Sequence, residues 1–348
     1  MAYSPILKPS TFMNPKLYAG NGAASHAITG VGFQPDWVWL KNRSGADNNS
    51  LNDVVRGANK NLVSNNANLE ATTTDQLMSF NSDGFTVGAS GSANTNGNNF
   101  ASWNWKAGTA VSGSTTGSGT AKTYTGSVNT TSGFSIIKYV GNGTAGHTIP
   151  HRLGVAPQMI IVKALSTNDD WMVGHISVGF NQFMILNSDV RDATGTQWNS
   201  TVPTSSVFSI GSNNNMNQNG NNFIAYCFAN VQGYSQFAGY TGNNNTNGPF
   251  IYTGFKPAWV MVKKVSGPNH WIIWDNKRST KNGFNIIDRK LYANLNNAEN
   301  GNDDIDFLSN GFKFQTNTGD WNESEDYLYA AFAEEPLVAS NYNVATAR

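Results

Sequence analysis

The chain has 348 residues, room for two or three domains, and its 39% hydrophobic residues with 19 Phe, 12 Tyr and 10 Trp are enough for packed cores, which excludes a disordered chain. Charged residues make up only 13%, and 22 Lys+Arg balance 22 Asp+Glu, so nothing electrostatic favours nucleic acid or a membrane surface as partner. The single cysteine, Cys227, excludes an internal disulfide and a multi-cysteine metal site.

Polarity comes instead from Gly, Ser, Thr and 49 asparagines, a composition that suits turn-rich β structure. The start, Met1 to Pro9, has no apolar core of a signal peptide, and no apolar run approaches the length of a membrane span. The expectation is a protein made in the cytoplasm, with no membrane insertion and no Sec processing.

Residues 1–16 carry Pro5, Pro9 and Pro15, which fix φ and disfavour a helix, so they are expected to form an extended arm suited to lie on a neighbouring subunit. A first β-sandwich repeat is expected over 17–106. It holds Gly32-Phe33-Gln34-Pro35-Asp36-Trp37-Val38-Trp39-Leu40-Lys41, followed by short β-type segments bounded by Asn/Gly/Ser turns. Residues 107–133, with the run Gly113-Ser114-Thr115-Thr116-Gly117-Ser118-Gly119-Thr120, read as a flexible linker. A second repeat spans 134–231 and contains Leu153-Gly154-Val155-Ala156-Pro157-Gln158-Met159-Ile160-Ile161-Val162-Lys163. A third, 232–336, contains Gly254-Phe255-Lys256-Pro257-Ala258-Trp259-Val260-Met261-Val262-Lys263, and 337–348 is a C-terminal tail. In all three copies Lys follows Pro by the same interval, 41−35 = 163−157 = 263−257 = 6. Recurrence at roughly a hundred residues is a small-domain period rather than a solenoid one. The fold class is therefore all-β: three tandem, related β-sandwich domains of jelly-roll or lectin-like type. The last strand of each copy alternates large and small apolar residues, as a strand covered on both faces does.

Gly141-Asn142-Gly143-Thr144-Ala145-Gly146 matches a dinucleotide fingerprint letter for letter, but Pro150 stands where the phosphate-binding helix has to grow, so the segment reads as a turn. His147 and His151 read as surface or packed-turn residues, and Cys227 as a small core residue of an inner strand. The acidic runs Asp303-Asp304-Ile305-Asp306 and Glu323-Ser324-Glu325-Asp326 lack EF-hand spacing and read as solvated loops. No catalytic residue, metal site or cofactor is expected. Aromatic rings stack on sugars, which makes Trp37, Trp39, Trp171, Trp259, Trp271 and Trp274 candidates and favours Trp103, Trp198 and Trp321, beside Asn-rich loops, as glycan or partner contacts.

The repeated G-F-x-P-x-W-V-x-x-K pattern, the S-x-G-F segments, the Asn-Asn-Phe strand starts and the bridge Cys227-Phe228-Ala229-Asn230-Val231-Gln232-Gly233-Tyr234-Ser235 resemble a family of repeat-containing virion structural proteins of marine tailed bacteriophages. The resemblance covers about residues 17–336. It implies a non-enzymatic, tail-associated fibre or receptor-binding protein acting in host attachment. The alternative is a capsid decoration or head-fibre protein. The partners it implies are copies of the same chain, with a trimer favoured, other virion proteins reached through the N-terminal arm, and a host surface glycan. Its location is then the virion.

Overall fold

The computed structural model describes residues 4–281 and 285–338, with the backbone alone for 302–304. Unit 1 contains β1 (Met13–Ala19), β2 (His26–Thr29), β3 (Trp37–Asn42), β4 (Ser50–Asp53), β5 (Lys60–Val63), β6 (Ala71–Thr72), β7 (Leu77–Asn81), β8 (Gly84–Val87), one helical turn α1 (Gly91–Asn94) and β9 (Asn99–Trp105). Unit 2 contains β10 (Thr109–Ser114), β11 (Thr116–Gly117), β12 (Thr123–Asn129), β13 (Phe134–Val140), β14 (His147–Pro150), β15 (Met159–Ala164), β16 (Met172–His175), β17 (Gly179–Ile185), β18 (Ala193–Thr194), β19 (Val207–Ile210), α2 (Asn214–Asn217) and β20 (Asn222–Phe228). Unit 3 contains β21 (Ser235–Thr241), β22 (Phe250–Tyr252), β23 (Phe255–Lys264), β24 (Ile272–Asp275), β25 (Ile286–Tyr292), β26 (Asn300–Leu308), β27 (Gly311–Phe314) and β28 (Asp326–Pro336).

The main sheets repeat one strand order. Unit 1 runs β1-β9-β3-β4-β5-β6 and unit 2 runs β13-β20-β15-β16-β17-β18, so the motif-bearing strand lies between the last strand and its own successor. Unit 3 runs β21-β28-β23-β24-β25-β26-β27-β22, nearly closing its sheet, while units 1 and 2 cover theirs with the small sheets β2-β8-β7 and β11-β14-β19. The protein is all-β, as composition and turn spacing indicate.

Side-chain alternation along the motif strands explains their unbroken apolar sequence. Val38 and Leu40, Ile160 and Val162, and Val260 and Val262 face the cores of their own units. Trp37 and Trp39, Met159 and Ile161, and Trp259 and Met261 point the other way, into one core shared by all three units. The last strands do the same, sending Trp103 and Trp105, Tyr226 and Phe228, and Ala330 and Phe332 to that centre. Both faces of each strand are therefore dry. The units are parts of one body, and not separate beads on a string.

The seams between units repeat cyclically. The indole Nε1 of Trp171 donates to Val63 O (2.9 Å), that of Trp271 to Ile185 O (2.9 Å), and Asn49 Nδ2 to Tyr292 O (3.1 Å). In the same way the amide of Glu70 donates to Leu165 O, that of Asp192 to Val265 O, and that of Glu299 to Arg43 O. Unit 1 thus bonds unit 2, unit 2 bonds unit 3, and unit 3 bonds unit 1. The ring is closed within a single chain.

Two sequence features acquire reasons here. Lys41, Lys163 and Lys263 are buried and bridge the strand end to the loop beyond it: Lys41 Nζ donates to Asp47 O (2.6 Å), Lys163 Nζ to Ala164 O (2.8 Å) and Thr167 O (3.4 Å), and Lys263 Nζ to Lys264 O (2.7 Å) and Gly267 O (3.5 Å). The loop after each motif strand is tied down by its own ammonium group. The asparagines serve similarly. Buried Asn94, Asn217 and Asn322 accept from the backbone amides of Asn21 (2.9 Å), Asn142 (2.8 Å) and Asn243 (2.9 Å). Each clamp closes a Gly-Asn turn whose glycine, Gly20, Gly141 or Gly242, is pressed against the carbonyl of Thr95, Gln218 or Glu323, leaving no room for a Cβ. The fingerprint-like Gly141-Asn142-Gly143 is accordingly a turn.

Three segment assignments need correction. Residues 107–133 are no free linker. β10 pairs with β12 over six residues, β12 pairs with β13, and Tyr124 and Val128 enter the core of unit 2, so alternation in Tyr124, Gly126 and Val128 outweighs the Gly/Ser/Thr composition. The described part of the 1–16 arm lies on its own chain. Ile6 enters the shared core, Pro9 opens a 3₁₀ turn at Pro9–Thr11, and Met13 to Lys16 form the first half of β1 against β9. Of the tail, Leu337 bonds Gly254 O and Val338 receives the amide of Ser4, so both ends of the described chain meet, while 339–348 lie outside the described residues.

Candidate binding surfaces

The ten tryptophans are all at most 2% exposed, which corrects their assignment as surface contacts. Trp103 lies at the seam of units 1 and 3, its Nε1 donating to Asp275 Oδ2 (2.8 Å) beneath the Arg278 guanidinium. Trp198 packs edge-on against Phe180 and Phe208 inside unit 2. Trp321 meets Trp274 edge-on in unit 3 and donates to Thr316 Oγ1 (3.0 Å). Large rings beside polar loops contribute more as core than as platforms, because each buries on the order of 200 Å².

The titratable groups are committed as well. Asp53 accepts Arg56 Nε (2.5 Å) and Tyr226 Oη (2.8 Å) at the seam of units 1 and 2, and Asp275 accepts Arg278 Nε (2.5 Å) at the equivalent place between units 3 and 1. The third seam uses His175, whose Nε2 bonds Tyr329 O (3.2 Å), and burial pushes its pKa down to about 4. His151, bonded to Thr204 O (3.1 Å), is also lowered to about 4 by burial. His147, between Asn217 Oδ1 (3.0 Å) and Thr115 Oγ1 (2.6 Å), is lowered for the same reason. The histidine pair is therefore packed, with both rings neutral at pH 7. Cys227 sits in the inner strand β20 facing the core of unit 2, and burial raises its thiol to about 12. Of the acidic runs, Asp306 lies on β26 and Glu323 pairs with Lys264 (2.6 Å), while the side chains of Asp303 and Asp304 lie outside the described residues. Among the described residues no group of three or more His, Cys, Asp or Glu is placed to hold a metal ion.

Open space lies where connecting segments meet the ends of the main sheets. A groove of about 470 Å³ runs between β10–β12 and the unit 1 turns around Asp36 and Val54. Its counterpart in unit 3, about 300 Å³, lies between the N-terminal arm and Ala258, Asn276 and Lys277. A third cleft, about 410 Å³, lies at the unit 2 to unit 3 connector, between Asn230, Gln232 and Gln236 on one side and Tyr252, Thr253 and Gly254 on the other.

This third cleft has a distinct chemistry. Among the described residues no charged side chain lines it, and one wall carries Tyr252, 54% exposed, whose ring edge and hydroxyl lie within van der Waals reach of where a Cβ on Gly254 would stand. Two residues earlier on β22, Phe250 is 46% exposed, and Ile251 between them is buried, so period-two alternation turns both aromatics outward. An aromatic platform facing amides, without charge, accommodates a neutral polyhydroxyl ring: C–H groups stack on the tyrosine while amides exchange hydrogen bonds with hydroxyls. The signal in the sequence was Phe250-Ile251-Tyr252 preceding the third motif, where neither other unit has an aromatic pair.

No curated protein and no solved structure matches this chain. Residues 8–336, nearly the whole ring, match one family, and the chain belongs to it: Domain of unknown function (DUF7483).

Proposed function

We propose that this protein is a non-enzymatic structural component of a tailed-phage virion, tail-associated, that takes part in host attachment by holding a neutral surface glycan. The observation that carries the reading is the cleft whose described lining is uncharged, with Tyr252 exposed on one wall and amides on the other. The repeated motifs supply the virion resemblance, and the closed ring supplies a rigid carrier. Only unit 3 bears the outward aromatic pair, so multivalent attachment requires several chains, and a homotrimer is the assembly we propose. A capsid-decoration role would use the arm as a strap on a neighbouring subunit, whereas residues 4–16 lie on the chain's own body.

The test is binding of the purified, labelled chain to host cells and to a panel of neutral and charged oligosaccharides. Retention of a neutral saccharide, weakened roughly tenfold or more by Tyr252→Ala at unchanged thermal stability, supports the reading. Equal binding by wild type and Tyr252→Ala, or none by either, overturns it.

A further inference from the structure

The 107–133 insertion breaks the threefold pattern, and its outer strand has no partner on one side among the described residues. In units 1 and 3 the first strands, β1 and β21, are themselves the sheet edges, whereas in unit 2 the equivalent β13 is overlaid by β12 and then β10. Those two edges are guarded. β1 contains Pro15, which lacks an N–H, and Lys16, while the backbone of β21 at Gly239 is approached by Ser177 of unit 2. β10 has no such protection. It is Thr109-Ala110-Val111-Ser112-Gly113-Ser114, six residues in unbroken register with β12, without charge or proline, and all but Val111 exposed. Its outward N–H and C=O groups form an open template for a further strand.

Beside it lies the groove of about 470 Å³, where Val54 and Val55 of unit 1 face Val111. The carboxylate there, Asp36, is taken by the amide of Ala107 (2.9 Å) and by Ser127 Oγ (3.3 Å), and burial raises its pKa. An open edge supplies main-chain affinity, and the three valines of the adjacent groove supply side-chain selection. We propose that β10 is a docking edge for an extended, uncharged peptide segment of another protein, added antiparallel to β10 with alternate β-branched side chains directed to the groove. Absence of charge on β10 and the prior commitment of Asp36 argue for an uncharged occupant. This inference is independent of the glycan reading, which concerns unit 3.

The probe is a blocked peptide of about eight alternating threonines and valines with solubilising lysines outside the paired stretch, titrated into the full chain and read by anisotropy and by hydrogen exchange. The expected result is saturable binding with slowed exchange confined to 109–114, lost by roughly tenfold or more in Ala110→Lys/Ser112→Lys, whose exposed positions accept lysine without disturbing the core. Absence of binding to wild type, or equal binding by the double variant, overturns the proposal. Concentration-dependent dimers that bury 109–114 and exclude the peptide also overturn it, assigning the edge to a second copy.

Discussion

Replacing Asp275 by Ala tests the ring closure at its most heavily loaded bond. The carboxylate is fully buried and accepts from Arg278 Nε (2.5 Å), Trp103 Nε1 (2.8 Å) and the amide of Lys277 (3.0 Å). Its removal leaves the buried Arg278 with Glu299 (3.1 Å) and Ile273 O (2.9 Å) among the described residues, and takes away the acceptor of the Trp103 indole N–H. Breaking one partner of a buried ion pair costs about 3–5 kcal/mol, and an orphaned donor about 1–3 kcal/mol, overlapping terms that together place the loss near 4 kcal/mol. That is a large share of the ~5–15 kcal/mol by which folded domains are stable. Urea unfolding followed by tryptophan emission measures it, and because the core is shared, the whole transition moves to lower urea instead of splitting. Asp53→Ala, at the equivalent seam, is expected to match it. His175→Ala, where the seam has one histidine–carbonyl bond, is expected to cost less, about 1–2 kcal/mol. A loss below about 1 kcal/mol for Asp275→Ala, or a transition confined to one third of the signal, refutes the reasoning.

The three buried lysines give stability an alkaline rise. Burial lowers each from its ordinary 10.5 to about 8, so the unfolded chain binds more protons between those values and stability increases with pH there, by up to roughly 3 kcal/mol per lysine. Urea midpoints between pH 7.5 and 9.5 should climb, and less steeply in Lys263→Met. At the acid side, His151 and His175 are held down to about 4, so the unfolded chain gains protons first and stability falls as pH drops from about 6.5 toward 4. His175→Gln should flatten part of that fall in acid titrations monitored by circular dichroism. Cys227, with its thiol raised to about 12, should resist alkylation in the native protein and react only at the rate of global opening, which mass spectrometry of iodoacetamide-treated samples reads directly. Alkylation as fast as that of a free thiol contradicts its burial.

Much of the architecture was legible because it repeats. The constant Pro-to-Lys interval marks equivalent strands, and its lysines recur because the same loop has to be tied in each unit. The alternation of large and small apolar residues along the last strands indicated cover on both faces, which is what the middles of β9, β20 and β28 have. What covers the second face was illegible, since Trp105, Phe228 and Phe332 meet only after three distant segments close a ring, and no local pattern encodes that approach. Tryptophans near polar loops were misread for the same reason: Trp103 faces a loop in sequence but Asp275 in space. The 107–133 segment misled through composition, since its strand character resides in the few residues, Tyr124 and Val128, that reach the core. The outward aromatics of β22 required knowing which face of a three-residue strand was already occupied by Ile251.

The attachment role is tested most directly by locating this polypeptide on purified particles with gold-labelled antibody or by cryo-electron microscopy. The account predicts label at the tail, in a multiple of three copies. Label distributed over the head moves the protein to a decoration role, and absence from the particle contradicts the account.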